Sequence, residues 1–400
     1  MTPTIDLARA RAETPGTAHV AHLNNAGAAL PPAPVLEAVA SHLAREAAIG
    51  GYEAADEAAP RLEAVYGAIA RLLNCAPDEI ALVENATRAW DMAFYAMRFR
   101  PGDRILTARA EYASNVIAFL QVARRTGAVV EPIDDDADGA LDPEALRVAL
   151  RRPASLVAVT HVPTNGGLVN PAAEIGALCR EAGVPFLLDA CQSAGQLPLD
   201  VQAIGCDMLS ATGRKFLRGP RGTGFLYVRR GMIEALEPPF LDLHAASWTG
   251  ERDFSVRGDA RRFENWESYV AGRLGLGAAV EYALALGISP IAARTTALAA
   301  RLRAELAAIP GVSVHDKGSV RCGLVTFRVR GLASVAVRDA LRAEAINVSV
   351  STASYARWDL AVRGLADLVR ASPHYYNDEA ELGRLVAAVA RLAKGRGDPA

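Results

Sequence analysis

A chain of 400 residues, 51% apolar and 22% charged, is long enough for one large α/β domain plus a smaller one. Its net charge of -2 offers no basic field to nucleic acid, and no uncharged apolar run is long enough to span a bilayer. The first twenty residues lack the apolar core of a signal peptide, and Cys75, Cys179, Cys191, Cys206 and Cys322 show no CxxC spacing, so free thiols in a reducing, cytoplasmic setting are expected.

From about residue 60, helical and strand-like patterns alternate. The segment "RLEAVYGAIARLLN" (61–74) carries apolar residues at helical spacing, and "EIALVEN" (79–85) is a short apolar run ahead of a further helix, "ATRAWDMAFYAMRF". "DRILTA" (103–108) reads as a strand, followed by a helix from about Ser114 to Arg125. "SLVAVTHV" (155–162), "VPFLLDAC" (184–191) and "DMLSATG" (207–213) are short, apolar or β-branched, and bounded by turn residues. Such alternation predicts a mostly parallel sheet covered on both faces. "GTGFLYVRR" (222–230) predicts a strand, 238–262 is irregular and charged, and a helix is expected from near Tyr269 to about Leu286. Beyond 291 the order is helix, strand, helix, strand, loop, strand, helix, an α+β layout of its own. We therefore expect an N-terminal segment (1–40) packing with a small C-terminal domain (261–400), and a large domain at 41–260.

In open α/β sheets, ligands bind beyond the carboxyl ends of the strands. After the predicted strands come Ala86, Thr87 and Arg88, then Glu111 and Tyr112, then Thr164 and Asn165, then Asp189 and Gln192, and finally Thr212, Arg214 and Lys215. Each has a plain alternative: a loop lysine, a turn-capping aspartate, a packed tyrosine, an N-cap without a ligand. Together they answer one chemical need. A lysine amine forms a Schiff base with an aldehyde cofactor, and pyridoxal phosphate also needs a carboxylate at its ring nitrogen. Its phosphate suits a helix N-terminus and its ring a flat side chain. Lys215, Asp189, the Ala86–Thr87–Arg88 helix start and Tyr112 fill these roles, with Gln192 and Thr164 near the phenolic oxygen. Lys215 stands out because the chain has three lysines, with Lys317 and Lys394, among 43 basic residues.

Over nearly the whole chain, from "HLNNAGAALPP" (22–32) to "VRASPHYYNDEAEL" (369–382), the sequence resembles class V aminotransferase-type enzymes of pyridoxal-phosphate fold type I. This group includes cysteine desulfurases, selenocysteine lyases, isopenicillin N epimerases, cystine lyases and hercynylcysteine sulfoxide lyases. "LLDACQSAGQLPLDV" resembles the strand with the ring-nitrogen aspartate, "SATGRKFLRGPRGTGFLYV" the lysine segment, "ENATRAW" the phosphate turn and "AEYASN" the ring-stacking position. The resemblance implies a large domain with a mostly parallel sheet between helices, a smaller α+β C-terminal domain, and a homodimer with sites near the subunit interface. It also implies that Arg370 clamps a substrate carboxylate, for which a guanidinium fork is suited. Asn25 and Tyr355 are further substrate-binding candidates, and Tyr355, Trp358, Tyr375 and Tyr376 either line a pocket or belong to the core.

Departures from the pattern narrow the chemistry. Where desulfurases carry a nucleophilic cysteine, this chain has about Ser354, and no cysteine follows Cys322. Arg214 stands where desulfurases place a histidine, and Glu267 falls near the threonine that reaches the partner's phosphate. "GPRG", with Arg218 and Arg221, resembles the sulfoxide-lyase subgroup. A C–S β-lyase acting on a cysteine-derived amino acid is the expected activity, with aminotransferase or epimerase as the alternative. A desulfurase is ranked below these, and a non-catalytic binding protein lower still. The "GLGAAV" run (275–280) lacks the third glycine of a dinucleotide fingerprint and falls inside a predicted helix.

Overall fold

The computed structural model describes residues 5–395. Two helices, α1 (Ala33–Ile49) and α2 (Gly51–Leu73), lead into the large sheet. Helix α2 begins well before the 61–74 segment and carries Pro60 inside it. The sheet then takes up β1 (Ile80–Val83), β2 (Arg104–Ala108), β3 (Val129–Ile133), β4 (Leu156–Thr160), β5 (Phe186–Asp189), β6 (Met208–Thr212) and β7 (Gly224–Val228). Their spatial order is β1-β7-β6-β5-β4-β2-β3. Strand β7 runs antiparallel to both β1 and β6, and the remaining pairs are parallel.

Strands buried on both faces need no polar alternation, and six of these seven are buried at every residue: β1, β2, β4, β5, β6 and β7. Successive side chains point to opposite faces. Leu82, Leu106, Val157, Leu188, Leu209 and Phe225 join α2 on one side, with Leu276 and Val280 of a later helix. Ala81, Ile105, Leu156, Leu187, Met208 and Leu226 meet α3 (Ala86–Tyr95) and α4 (Ala113–Thr126) on the other. Strand β3 has no counterpart among the strands expected from the sequence pattern. It is an edge strand containing Pro132, and an edge tolerates the missing donor that a proline imposes.

Helix α5 (Ala172–Ala182) crosses between β4 and β5. The 238–262 region contains a short hairpin, β8 (Ala246–Trp248) with β9 (Phe254–Val256). Helices α6 (Val270–Leu286) and α7 (Ile288–Ala307) come next. The "GLGAAV" glycines lie in α6, where a Cβ on Gly275 would sit 2.6 Å from Val39 and one on Gly277 2.7 Å from Val65. They serve close helix packing.

The second sheet is antiparallel, ordered β10-β11-β13-β12: β10 (Val312–Val314), β11 (Val325–Val329), β12 (Ser349–Thr352) and β13 (Asp367–Ala371). Helices α8 (Ser334–Ala343) and α9 (Glu379–Lys394) cover it. The N-terminal segment joins this region: Ala21–His22 pairs with Ile346–Asn347, and Asn24 bridges Ser372. Among the described residues no single helix is long and apolar enough to cross a membrane.

Candidate active site

The parallel strands end on one edge of the sheet, and the loops leaving β4, β5 and β6 converge there with the start of α3. A cavity of about 460 Å3 opens at this point. It is lined by Ala86, Thr87, Tyr112, Thr164, Asp189, Gln192, Thr212, Arg214 and Lys215. These candidates, scattered over 130 positions of sequence, are brought together.

Each is held by local structure. Asn85 caps α3 by accepting the Arg88 N–H at 2.9 Å, which leaves the N–H groups of the first turn facing the cavity as an anion site. Arg214 Nη1 donates to Thr212 Oγ1 at 3.1 Å, and Arg221 lines the same cavity. Tyr112 stands at the start of α4, 36% exposed, with its ring free to meet a ligand. Gln192 Nε2 donates to Thr164 Oγ1 at 2.9 Å, while Gln192 Oε1 is buried without a partner among the described residues.

Asp189 ends β5 and is buried. Burial pushes its carboxyl up, opposed by hydrogen bonds from the Cys191 N–H and Asn115 and by the charge of Lys215. Lys215 is 8% exposed, and its Nζ lies 3.2 Å from Cys191 Sγ. Burial pushes the Cys191 thiol up as well.

Four candidates lie outside the lining. Arg88 faces away, its guanidinium 4.8 Å over the Phe240 ring. Arg370 sits one layer behind, donating to Thr164 Oγ1 at 2.6 Å and its carbonyl at 3.1 Å. Burial lowers Arg370 to about 10, still protonated near neutrality, and its Nε has no partner among the described residues. Asn25 is fully buried and bonded to the His22 and Ser372 carbonyls. Its neighbour Asn24 is the one that approaches Arg370, at 3.4 Å. Tyr355 is 56% exposed and touches the site region through its carbonyl, which accepts from Asn165.

The two "GPRG" arginines part company. Arg218 is buried, with a left-handed φ of 64°. It donates to the Leu30 carbonyl, Thr14 Oγ1 and the Tyr375 hydroxyl, and it faces the rings of Tyr375, Tyr376 and Tyr282. Tyr375 and Tyr376 are therefore core. Glu267 lines a small adjoining cavity with Asn265 and Ser268. The sequence pattern alone assigns no role to Asn115, Glu111 or Cys191. Glu111 lies just ahead of α4 and Asn115 in its first turn, and the entry into the helix brings the two side chains to 2.9 Å.

A family model described as aminotransferase class-V matches residues 21–385. A curated relative from Xylella fastidiosa (strain 9a5c), named probable cysteine desulfurase, is 33% identical over 348 residues, covering 84% of this chain and 82% of its own. The apo structure of a cysteine desulfurase from Thermococcus onnurineus superposes with a TM-score of 0.91 at 26% identity, over 98% of this chain and 99% of that one. The cystine C-S lyase C-DES, in complex with its product cysteine persulfide, gives 0.84 at 25%, over 94% of this chain and 99% of that one. A further C-DES structure has glycine covalently linked to its pyridoxal-phosphate cofactor.

Proposed function

The chain belongs to the class-V aminotransferase family and is a pyridoxal-phosphate-dependent enzyme, and on that premise we propose that it breaks the carbon–sulfur bond of a cysteine-derived amino acid, with Lys215 as its catalytic base. The cavity fits the cofactor. It presents an amine, a buried carboxylate, a helix N-terminus flanked by Arg214 and Arg221, an exposed tyrosine ring, and a Gln192 oxygen in want of a partner. Bound there, pyridoxal phosphate supplies an electron sink for the bonds at the substrate Cα.

The chain's own residues then divide the work. The first turn of α3, with Thr212 and Arg214, would hold the phosphate. Tyr112 would stack on the ring, and Asp189 would accept from the ring nitrogen. Thr164 and Gln192 would meet the phenolic oxygen. Arg370 has no carboxylate within ion-pairing distance among the described residues, so the substrate's own carboxylate completes its coordination. Lys215 would anchor the cofactor and, with its amine free, is placed to take the Cα proton. The electron pair left at Cα forms the Cα–Cβ double bond as the thiolate leaves Cβ, and water releases the three-carbon fragment as pyruvate and ammonia.

The observation that carries the lyase reading is the residue at the position of the desulfurase cysteine. Ser354 stands there, exposed and hydrogen-bonded to Thr352, and a serine cannot hold a persulfide. Four of the free cysteines lie outside the cavity; burial pushes the thiols of Cys75, Cys179 and Cys322 up to about 12, and Cys206 is raised also. A second reading, cysteine desulfurase, is favoured by the relatives' names and by Cys191, a thiol that does line the cavity. Product analysis with cysteine, cystine and cysteine S-conjugates separates the two. Pyruvate and ammonia in equal amounts are expected. Alanine formed together with a persulfide on Cys191 would replace the lyase by the desulfurase, and pyridoxamine phosphate without pyruvate would make the enzyme an aminotransferase.

We also propose a homodimer. Trp248 and Phe254 sit opposite each other on the β8–β9 hairpin, 75% and 57% exposed. An exposed aromatic pair of this kind suits a subunit contact.

A further inference from the structure

Beneath the cavity lies a second carboxylate that the reaction above does not use. Glu111 is 4% exposed. Its Oε1 accepts from the Tyr112 N–H at 2.7 Å, from Asn115 Nδ2 at 2.9 Å and from the Thr160 hydroxyl. Its Oε2 accepts from the Thr160 N–H at 2.9 Å and the Thr107 hydroxyl at 3.2 Å. Five donors on one carboxyl form a cage for the anion. Asn115, itself 3% exposed, sends its amide hydrogens two ways: to Glu111 and, at 3.0 Å, to Asp189 Oδ2. The other Asp189 oxygen accepts the Cys191 N–H at 2.9 Å. One amide thus joins two buried carboxyls, and no arginine or lysine lies within ion-pairing distance of Glu111 among the described residues.

Two buried acids without a cation on the inner one make an unbalanced site. Burial and the neighbouring Asp189 charge accordingly raise Glu111. A proton on a ring nitrogen held by Asp189 supplies the missing positive charge. An ionised Glu111 can only accept, so it also dictates that Asn115 turns its NH2, and not its oxygen, toward the pair. Asp189 is thereby kept as an acceptor, each oxygen held by one donor and still offering a lone pair to the ring.

We propose that Glu111, acting through Asn115, is a positioning residue that orients Asp189 and holds the cofactor's ring nitrogen protonated. The proposal rests on the placement of Asp189 at that nitrogen. It extends the recognised carboxylate by one link, and it assigns work to Glu111, which lies outside the cavity lining, and to Asn115, which belongs to it.

The test reads the ring nitrogen itself. The holoenzyme is prepared with cofactor isotopically labelled at that atom. Its NMR shift and the cofactor dissociation constant are measured for wild type, Glu111→Gln, Asn115→Ala and Asp189→Asn. In Glu111→Gln and Asn115→Ala the shift should move toward the unprotonated value. Cofactor affinity should fall about tenfold, the lower end of what partners behind a ligating group contribute. Glu111→Gln keeps the side-chain shape, and Asn115→Ala attacks the same link from its other end. If both keep the wild-type shift and affinity while Asp189→Asn changes them, the relay is overturned and the role of Asp189 stands. If Asp189→Asn also leaves the shift unchanged, the placement of Asp189 fails and the relay with it.

Discussion

Burial, more than any ion pair, sets the charge states beneath the cavity. The Glu111 carboxyl is raised from 4.5 to about 7, chiefly by burial, with the Asp189 charge adding and the Thr160 hydrogen bond opposing. A folded-state value above the unfolded one means that the folded protein binds the proton more tightly. That stability is fully present below about pH 4.5 and is lost as the pH rises through about 7. A shift of this size corresponds to roughly 3 kcal/mol. Glutamine cannot ionise, so the cofactor-free Glu111→Gln protein should gain stability relative to wild type between pH 5 and pH 8. Denaturant unfolding at the two pH values checks this. A difference between the two proteins that is the same at both pH values would show that Glu111 does not titrate in this range.

At the level of elements, the anion site depends on how closely α3 approaches the sheet. Gly224 of β7 lies against the α3 cap: a Cβ there would stand 2.7 Å from the Ala211 carbonyl oxygen and 2.8 Å from the Asn85 carbonyl carbon. Both neighbours are backbone, which yields little. Gly224→Ala should therefore cost about 1–3 kcal/mol of stability through overpacking. It should also weaken cofactor binding, because it displaces the cap that aims the first-turn N–H groups. Titration of the apoenzyme with cofactor measures the second effect, and unchanged affinity would show that the α3 start does not hold the phosphate. The elements were legible where a pattern marked them. The short, mostly apolar runs of β1, β2, β4, β5, β6 and β7 and the Asn85 cap could be read directly. Strand β3 could not, because Pro132 and partial exposure hide it. Nor could the first turns of α2, where Pro60 masks a helix sustained by packing.

On the scale of the whole molecule, the site is made by topology. Sequence order placed Ala86, Tyr112, Thr164, Asp189, Thr212 and Lys215 after successive strands, and the parallel sheet brings those strand ends to one edge. That much was legible. Long-range contacts were not. Nothing local distinguishes Arg218, which ties the N-terminal segment to Tyr375 and Tyr376, from Arg221, which faces the cavity. Asn25 and Asn24 are likewise adjacent in sequence and opposite in use. The relay from Glu111 to Asp189 spans 74 positions between Asn115 and Asp189 and needs the fold to exist. The central claim is that this cavity anchors the cofactor on Lys215, and the scarcity of lysine makes it testable in one measurement. Borohydride reduction of the holoenzyme with subsequent peptide mass mapping should find the phosphopyridoxyl mass on Lys215 alone, and none on any peptide of Lys215→Ala. The same mass on Lys317 or Lys394, or on no lysine at all, would contradict the account.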